Sequence, residues 1–149
     1  MADRRLTLEE AVTQAGESQH TGAALRKRAM ELLAQVPGYD WCGIYRLEGD
    51  TLELDEYEGA PTDHDRIQVG VGVCGTAVAE DRNQVVEDVR SLKNYLSCSV
   101  HTRSEIVVLV RRGGEILGQI DIDGHEVGRF TTQDEVELER LAGLLASKW

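Results

Sequence analysis

Apolar positions recur with two different periods along this chain, and each change of period marks an element. From Thr21 to Val36, the residues Ala24, Leu25, Met30, Leu32, Leu33 and Val36 give a helix with one apolar side, which Pro37-Gly38 stops. Ahead of it, Thr7-Leu-Glu-Glu10 has the form of a capping box and opens a short helix ending near Gly16. At the other end, Thr132-x-x-Glu135 reads as the cap of a final helix. Its apolar stripe is Val136, Leu138, Leu141, Leu144 and Leu145.

Between the helices the period shortens to that of strands. Runs from Asp40 to Leu47 and from Thr51 to Tyr57 flank Glu48-Gly49-Asp50, a hairpin turn. A second pair, Ser104 to Arg111 and Glu115 to Asp123, is joined at Gly113-Gly114. Gly59 to Gln68 reads as a polar loop, Cys74 to Glu80 as a short helix, Gln84 to Val86 as a strand and Asp88 to Thr102 as an irregular stretch. No linker or repeat divides the chain, so residues 1–149 are expected to form one domain of the α+β class. The expected architecture is one antiparallel sheet with the terminal helices on one face and long loops on the other.

Strand parity then sorts the side chains. In the last strand Ile116, Gly118, Ile120 and Ile122 share one face, and Leu117, Gln119, Asp121 and Asp123 the other. In the first strand Trp41, Gly43 and Tyr45 share a face opposed by Cys42, Ile44 and Leu47, leaving room above Gly43. Trp41 and Tyr45 could wall a pocket there, although parity by itself favours ordinary core aromatics. Cys42, between core positions, reads as an inert packing thiol. Asp is disfavoured in strands, and two on one face repel unless a proton or cation is shared. Asp121-Ile-Asp-Gly-His lacks the spacing of a calcium loop, so no metal site is expected.

Composition narrows the function. With 16 basic and 27 acidic residues the net charge is −11, which argues against nucleic acid as a partner. No apolar run is long enough to span a membrane and Met1-Ala-Asp-Arg-Arg lacks the apolar stretch of a signal peptide, so a cytoplasmic protein is expected. Cys42, Cys74 and Cys98 match neither a disulfide framework nor a zinc pattern. Two thiols that could pair, Cys74 and Cys98, with Glu105, Asp121 and Asp123 on strands, have the makings of a small redox site.

Taken together, Gly70-x-Gly-Val-Cys-Gly-Thr-Ala, Glu87-Asp-Val, Asn94-Tyr-x-x-Cys98, Ser104-Glu-Ile-Val-Val, Gly118-x-Ile-Asp-Ile-Asp123 and Arg129-Phe130 resemble the GAF-type free methionine-(R)-sulfoxide reductases. The resemblance runs from about Trp41 to the final helix. It implies a six-stranded antiparallel sheet with a loop-covered pocket, and Cys98 as the nucleophile toward free methionine sulfoxide. It implies Cys74 as the resolving thiol, no cofactor, and thioredoxin or a similar dithiol as reductant. Glu105, Asp121 and Asp123 would hold the substrate's ammonium and supply a proton, while Trp41 and Tyr45 would wall the methyl-sulfoxide end. Homodimers are common in that family. Family members commonly carry a further cysteine ten residues before the GVCG cysteine, where this chain has His64; they usually have Asp where Ser99 stands and often Pro where Leu109 stands. The alternative is a non-catalytic GAF module that binds a small molecule or senses redox state.

Overall fold

The computed structural model describes residues 5–93, 95 and 100–149. Helices α1 (Leu8–Glu17) and α2 (Gly22–Leu33) precede strands β1 (Trp41–Glu48), β2 (Thr51–Glu58) and β3 (Arg66–Gln68). Helix α3 (Gly72–Glu80), β4 (Gln84–Val86), a 3₁₀ turn (Val89–Ser91), β5 (Ser104–Arg112), β6 (Glu115–Gly124) and α4 (Thr132–Ser147) follow. The strands form one antiparallel sheet in the order β3-β2-β1-β6-β5-β4. This is the expected α+β, GAF-like architecture.

The sheet separates two apolar layers. On one side Cys42, Ile44, Ile106, Val108, Val110, Ile120 and Ile122 pack against α1, α2 and α4. On the other, Trp41, Tyr45, Leu52, Ile67, Val107 and Leu109 pack against Val73, Cys74 and Ala77 of α3. Helix α1 begins at the expected capping box: Thr7 Oγ1 accepts from the Glu10 amide at 3.1 Å, and the Thr7 amide donates to Glu10 Oε1 at 2.9 Å.

Five readings of the pattern change. The Gly59–Gln68 loop ends in β3, whose three residues are too few and too polar to show a period; β3 pairs with β2 through Thr51–Gln68, Leu52–Ile67 and Glu53–Arg66. The cap of α4 is Thr131, bonded reciprocally with Asp134, one residue before the expected Thr132. Val136 is half exposed and leaves the stripe, whereas Leu138, Leu141 and Leu145 are buried. Two β-bulges also break the parity. Between Ile44 and Tyr45 the β2 partner jumps from Glu56 to Leu54, and between Val110 and Arg111 the β6 partner jumps from Gly118 to Ile116. Leu117 is thereby turned to the helix side and Ile116 to the α3 side, the reverse of strict alternation. Leu47 lies with Trp41 and Tyr45, as its odd number requires, not with Cys42 and Ile44.

Candidate active site

The site is built on β1, β6 and β5, whose register sets out a grid on the α3 face. Asp123 of β6 lies between Trp41 of β1 and Glu105 of β5. The next row outward is Gly43–Asp121–Val107, and the next Tyr45–Gln119–Leu109. All three carboxylates are withdrawn from water, with Glu105 4% and Asp121 and Asp123 each 1% exposed.

Helix α3 brings sulfur to this grid. Gly75 lets it approach, because a Cβ there would run into the Gln68 carbonyl oxygen. The buried Gln119 amide nitrogen donates to the Cys74 carbonyl at 3.0 Å and ties the first turn of α3 to β6. Cys74 Sγ donates to Glu105 Oε2 at 3.9 Å, and one donor atom each of Cys74, Glu105 and Asp121 lie within 4.8 Å of one another. Ile67 and Val71–Val73 complete a small cavity of about 10 Å³ over these three groups, close to the room one water needs.

Electrostatically the site favours the protonated form of Asp121. Burial raises the pKa of Asp121 above the ordinary carboxylate value of 3.8; hydrogen bonding from the Glu105 and Cys74 side chains offsets part of that rise. Neither Asp121 oxygen has a partner of good geometry among the described residues. Cys42 differs: it is fully buried on the helix side, burial pushes its thiol well up, and its sulfur faces the Tyr39 carbonyl at 3.8 Å. It is the packing thiol that its position in the sequence suggests.

The aromatic residues are arranged otherwise than parity implies. The space above Gly43 is filled by the indole of Trp41, which a Cβ on Gly43 would strike. Tyr57 stacks on that indole with ring centroids 5.6 Å apart, and Trp41 Nε1 donates to the Ala60 carbonyl at 3.0 Å. Tyr57 escapes sequence reasoning because the β1–β2 bulge, and not plain hairpin counting, places it opposite Gly43. Gln119 was within reach of the sequence, since it shares parity with Asp121. Tyr45 is completely buried, and its hydroxyl donates to the His64 carbonyl at 2.9 Å, holding the loop that carries His64. The structure thus brings Cys74, Glu105 and Asp121 into one cavity, sets Trp41 and Asp123 in the adjoining row, and keeps Tyr45 in the packing beneath the loop. Cys98, the expected nucleophile, lies outside the described residues.

The family model of the GAF domain matches residues 8–147. The free methionine-R-sulfoxide reductase of Escherichia coli K12 is 39% identical over 123 residues, covering 83% of this chain and 74% of that protein. This chain belongs to the GAF-domain free methionine-(R)-sulfoxide reductase family. A Neisseria meningitidis free methionine-R-sulfoxide reductase in complex with its substrate superposes with a TM-score of 0.90 at 28% identity, covering 99% of this chain and 94% of that one. The reduced form of a Staphylococcus aureus fRMsr gives a TM-score of 0.88 at 32% identity, over 99% of both chains. The members of this reductase family are oxidoreductases, and the buried thiol and carboxylates described above belong to a family of enzymes. Among the described residues no helix is long and apolar enough to cross a membrane.

Proposed function

We propose that this protein reduces free L-methionine-(R)-sulfoxide to methionine by thiol chemistry. The observation that carries the reading is the carboxyl–thiol cluster: Asp121 has a raised pKa and sits within one cavity with Glu105 and the Cys74 thiol. Sulfoxide reduction needs an acid, because the oxygen is a poor leaving group until protonated, and a buried carboxyl whose pKa is raised suits that task.

The Cys98 thiolate attacks the sulfoxide sulfur while the carboxyl cluster protonates the sulfoxide oxygen. That oxygen ends on Cys98 as a sulfenic acid and methionine leaves: the thiol loses two electrons and the sulfoxide gains them. Cys74 then attacks the sulfenic sulfur, an S–S bond forms and water departs. Glu105, which accepts the Cys74 hydrogen bond, relays the thiol proton to the departing hydroxyl, which leaves as that water. A dithiol such as thioredoxin restores both thiols by exchange. Asp123 and Glu105, in one row with Trp41, provide negative charge for the substrate's ammonium, and the Trp41–Tyr57 stack provides an apolar wall for its methyl end.

Cys74 is assigned the resolving role because His64 stands at the commoner resolving position and Cys42 is buried on the far side of the sheet. The test is methionine release from the free (R)-sulfoxide with dithiothreitol. Wild type is expected to turn over the (R) epimer in preference to the (S) epimer, and Cys98→Ser to lose activity completely. Absence of turnover by the wild type with either epimer defeats the proposal and favours a binding or sensing GAF module.

A further inference from the structure

The cavity over Cys74, Glu105 and Asp121 is the size of one water or one ion, far below the few hundred Å³ of most small-molecule sites. Its lining offers one sulfur and two carboxylate donors, each buried. Asp121, 1% exposed, brings two oxygens without well-placed partners among the described residues. Such a carboxylate is satisfied by a proton or by a cation.

We propose that this cage binds a borderline divalent d-block cation, Zn²⁺ above others, and that the bound ion excludes sulfoxide reduction. Geometry supports the ion. Zinc–sulfur and zinc–oxygen bonds of about 2.3 and 2.0–2.2 Å place tetrahedral donors roughly 3.5 Å apart. Cys74 Sγ and Glu105 Oε2 stand at 3.9 Å, and the three donor atoms lie within 4.8 Å, so a modest contraction closes the site. Three protein ligands would leave a fourth position for water, and the cavity over them has about the room of one water. The sulfur ligand selects against Mg²⁺ and Ca²⁺, which take oxygen donors. Entry of the ion displaces the Cys74 thiol proton and any proton held on the carboxyl pair, so binding strengthens with rising pH. The exclusion follows because the ion takes both the acid that protonates the sulfoxide oxygen and the thiol that resolves Cys98. That second half rests on the reductase reading, whereas the binding half does not.

The experiment titrates the full chain, kept reduced with a phosphine, with Co²⁺ as a spectroscopic substitute for Zn²⁺. One equivalent is expected to give sulfur-to-cobalt charge-transfer absorption, which Zn²⁺ abolishes by displacement. Cys74→Ser should lose the band. Asp121→Asn should keep its fold by circular dichroism yet bind at least about tenfold more weakly, a loss of the size that even outer-shell changes produce. Cys42→Ala and Cys98→Ser should retain the band. No band, a band that survives Cys74→Ser, or one that Cys98→Ser removes overturns the site. In the turnover assay with a phosphine-compatible dithiol protein as reductant, one Zn²⁺ per chain should stop methionine release; full activity with the site filled overturns the exclusion. Should the metal-free protein show no turnover at all, the reductase reading fails while the cobalt band still decides the metal site.

Discussion

Asp121 is held where water cannot solvate its charge, and its position decides its chemistry. Its folded pKa is raised above 3.8, chiefly by burial. A group raised in this way contributes stability that is fully present below its unfolded pKa and is lost as pH rises through the folded value. Ionisation of Asp121 therefore weighs against the fold. Asp121→Asn is expected to gain stability relative to wild type as pH climbs from about 4 to 8. The difference in Tm between Asp121→Asn and wild type should therefore grow with pH. The same variant should lose roughly 10²-fold or more in turnover, the scale of a missing general acid. A flat Tm difference across that pH range would mean that Asp121 is an ordinary ionised carboxylate. Cys42 shows the contrast: equally buried and also raised, it lies among Ile44, Ile106 and Ile122 on the face away from the carboxylates' cavity, and so it stays a packing group.

Elements carry a different lesson, because local signals placed most of them and irregular pairing placed the rest. The Glu48-Gly49-Asp50 and Gly113-Gly114 turns, the Thr7–Glu10 cap and the isolated strand Gln84–Val86 were all legible, since each has its own chemistry or period. Strand β3 was not, because Arg66-Ile67-Gln68 becomes a strand only by pairing with β2. The two bulges were invisible too, and they decide which side Leu117 faces and which residue meets Gly43. Two adjacent threonines likewise made the α4 cap ambiguous. Capping geometry resolves this in favour of Thr131, whose hydroxyl accepts from the Asp134 amide while its own amide donates to Asp134 at 2.8 Å. Thr131→Ala should therefore lower stability by about 1 kcal/mol, whereas Thr132→Ala should be near neutral, as read from urea midpoints. The reverse order would return the cap to Thr132.

For the whole molecule, the six antiparallel strands of the described residues divide a packing core from the face that carries the buried carboxylates and Cys74. The terminal helices fill the first, and the chain's end is tied down by Arg26, which bonds the Trp149 carbonyl at 2.7 Å and Asp55 at 2.6 Å. The carboxylates of the α3 face could be read from sequence, because Asp on a strand is conspicuous. The grouping of Cys74 with those carboxylates was expected too, but its distances needed the fold, because α3 crosses to β5 and β6 only in three dimensions. The central claim is that two thiols, Cys98 and Cys74, reduce the sulfoxide in sequence. A stoichiometric reaction tests it most directly: reduced protein, freed of reductant, is mixed with excess free methionine-(R)-sulfoxide, and methionine and cysteine states are measured by mass spectrometry. The account predicts one methionine per chain and a Cys74–Cys98 disulfide in wild type. It predicts one methionine and a trappable Cys98 sulfenic acid in Cys74→Ser. Methionine formation with Cys98 left as a free thiol, or no methionine at all, would contradict it.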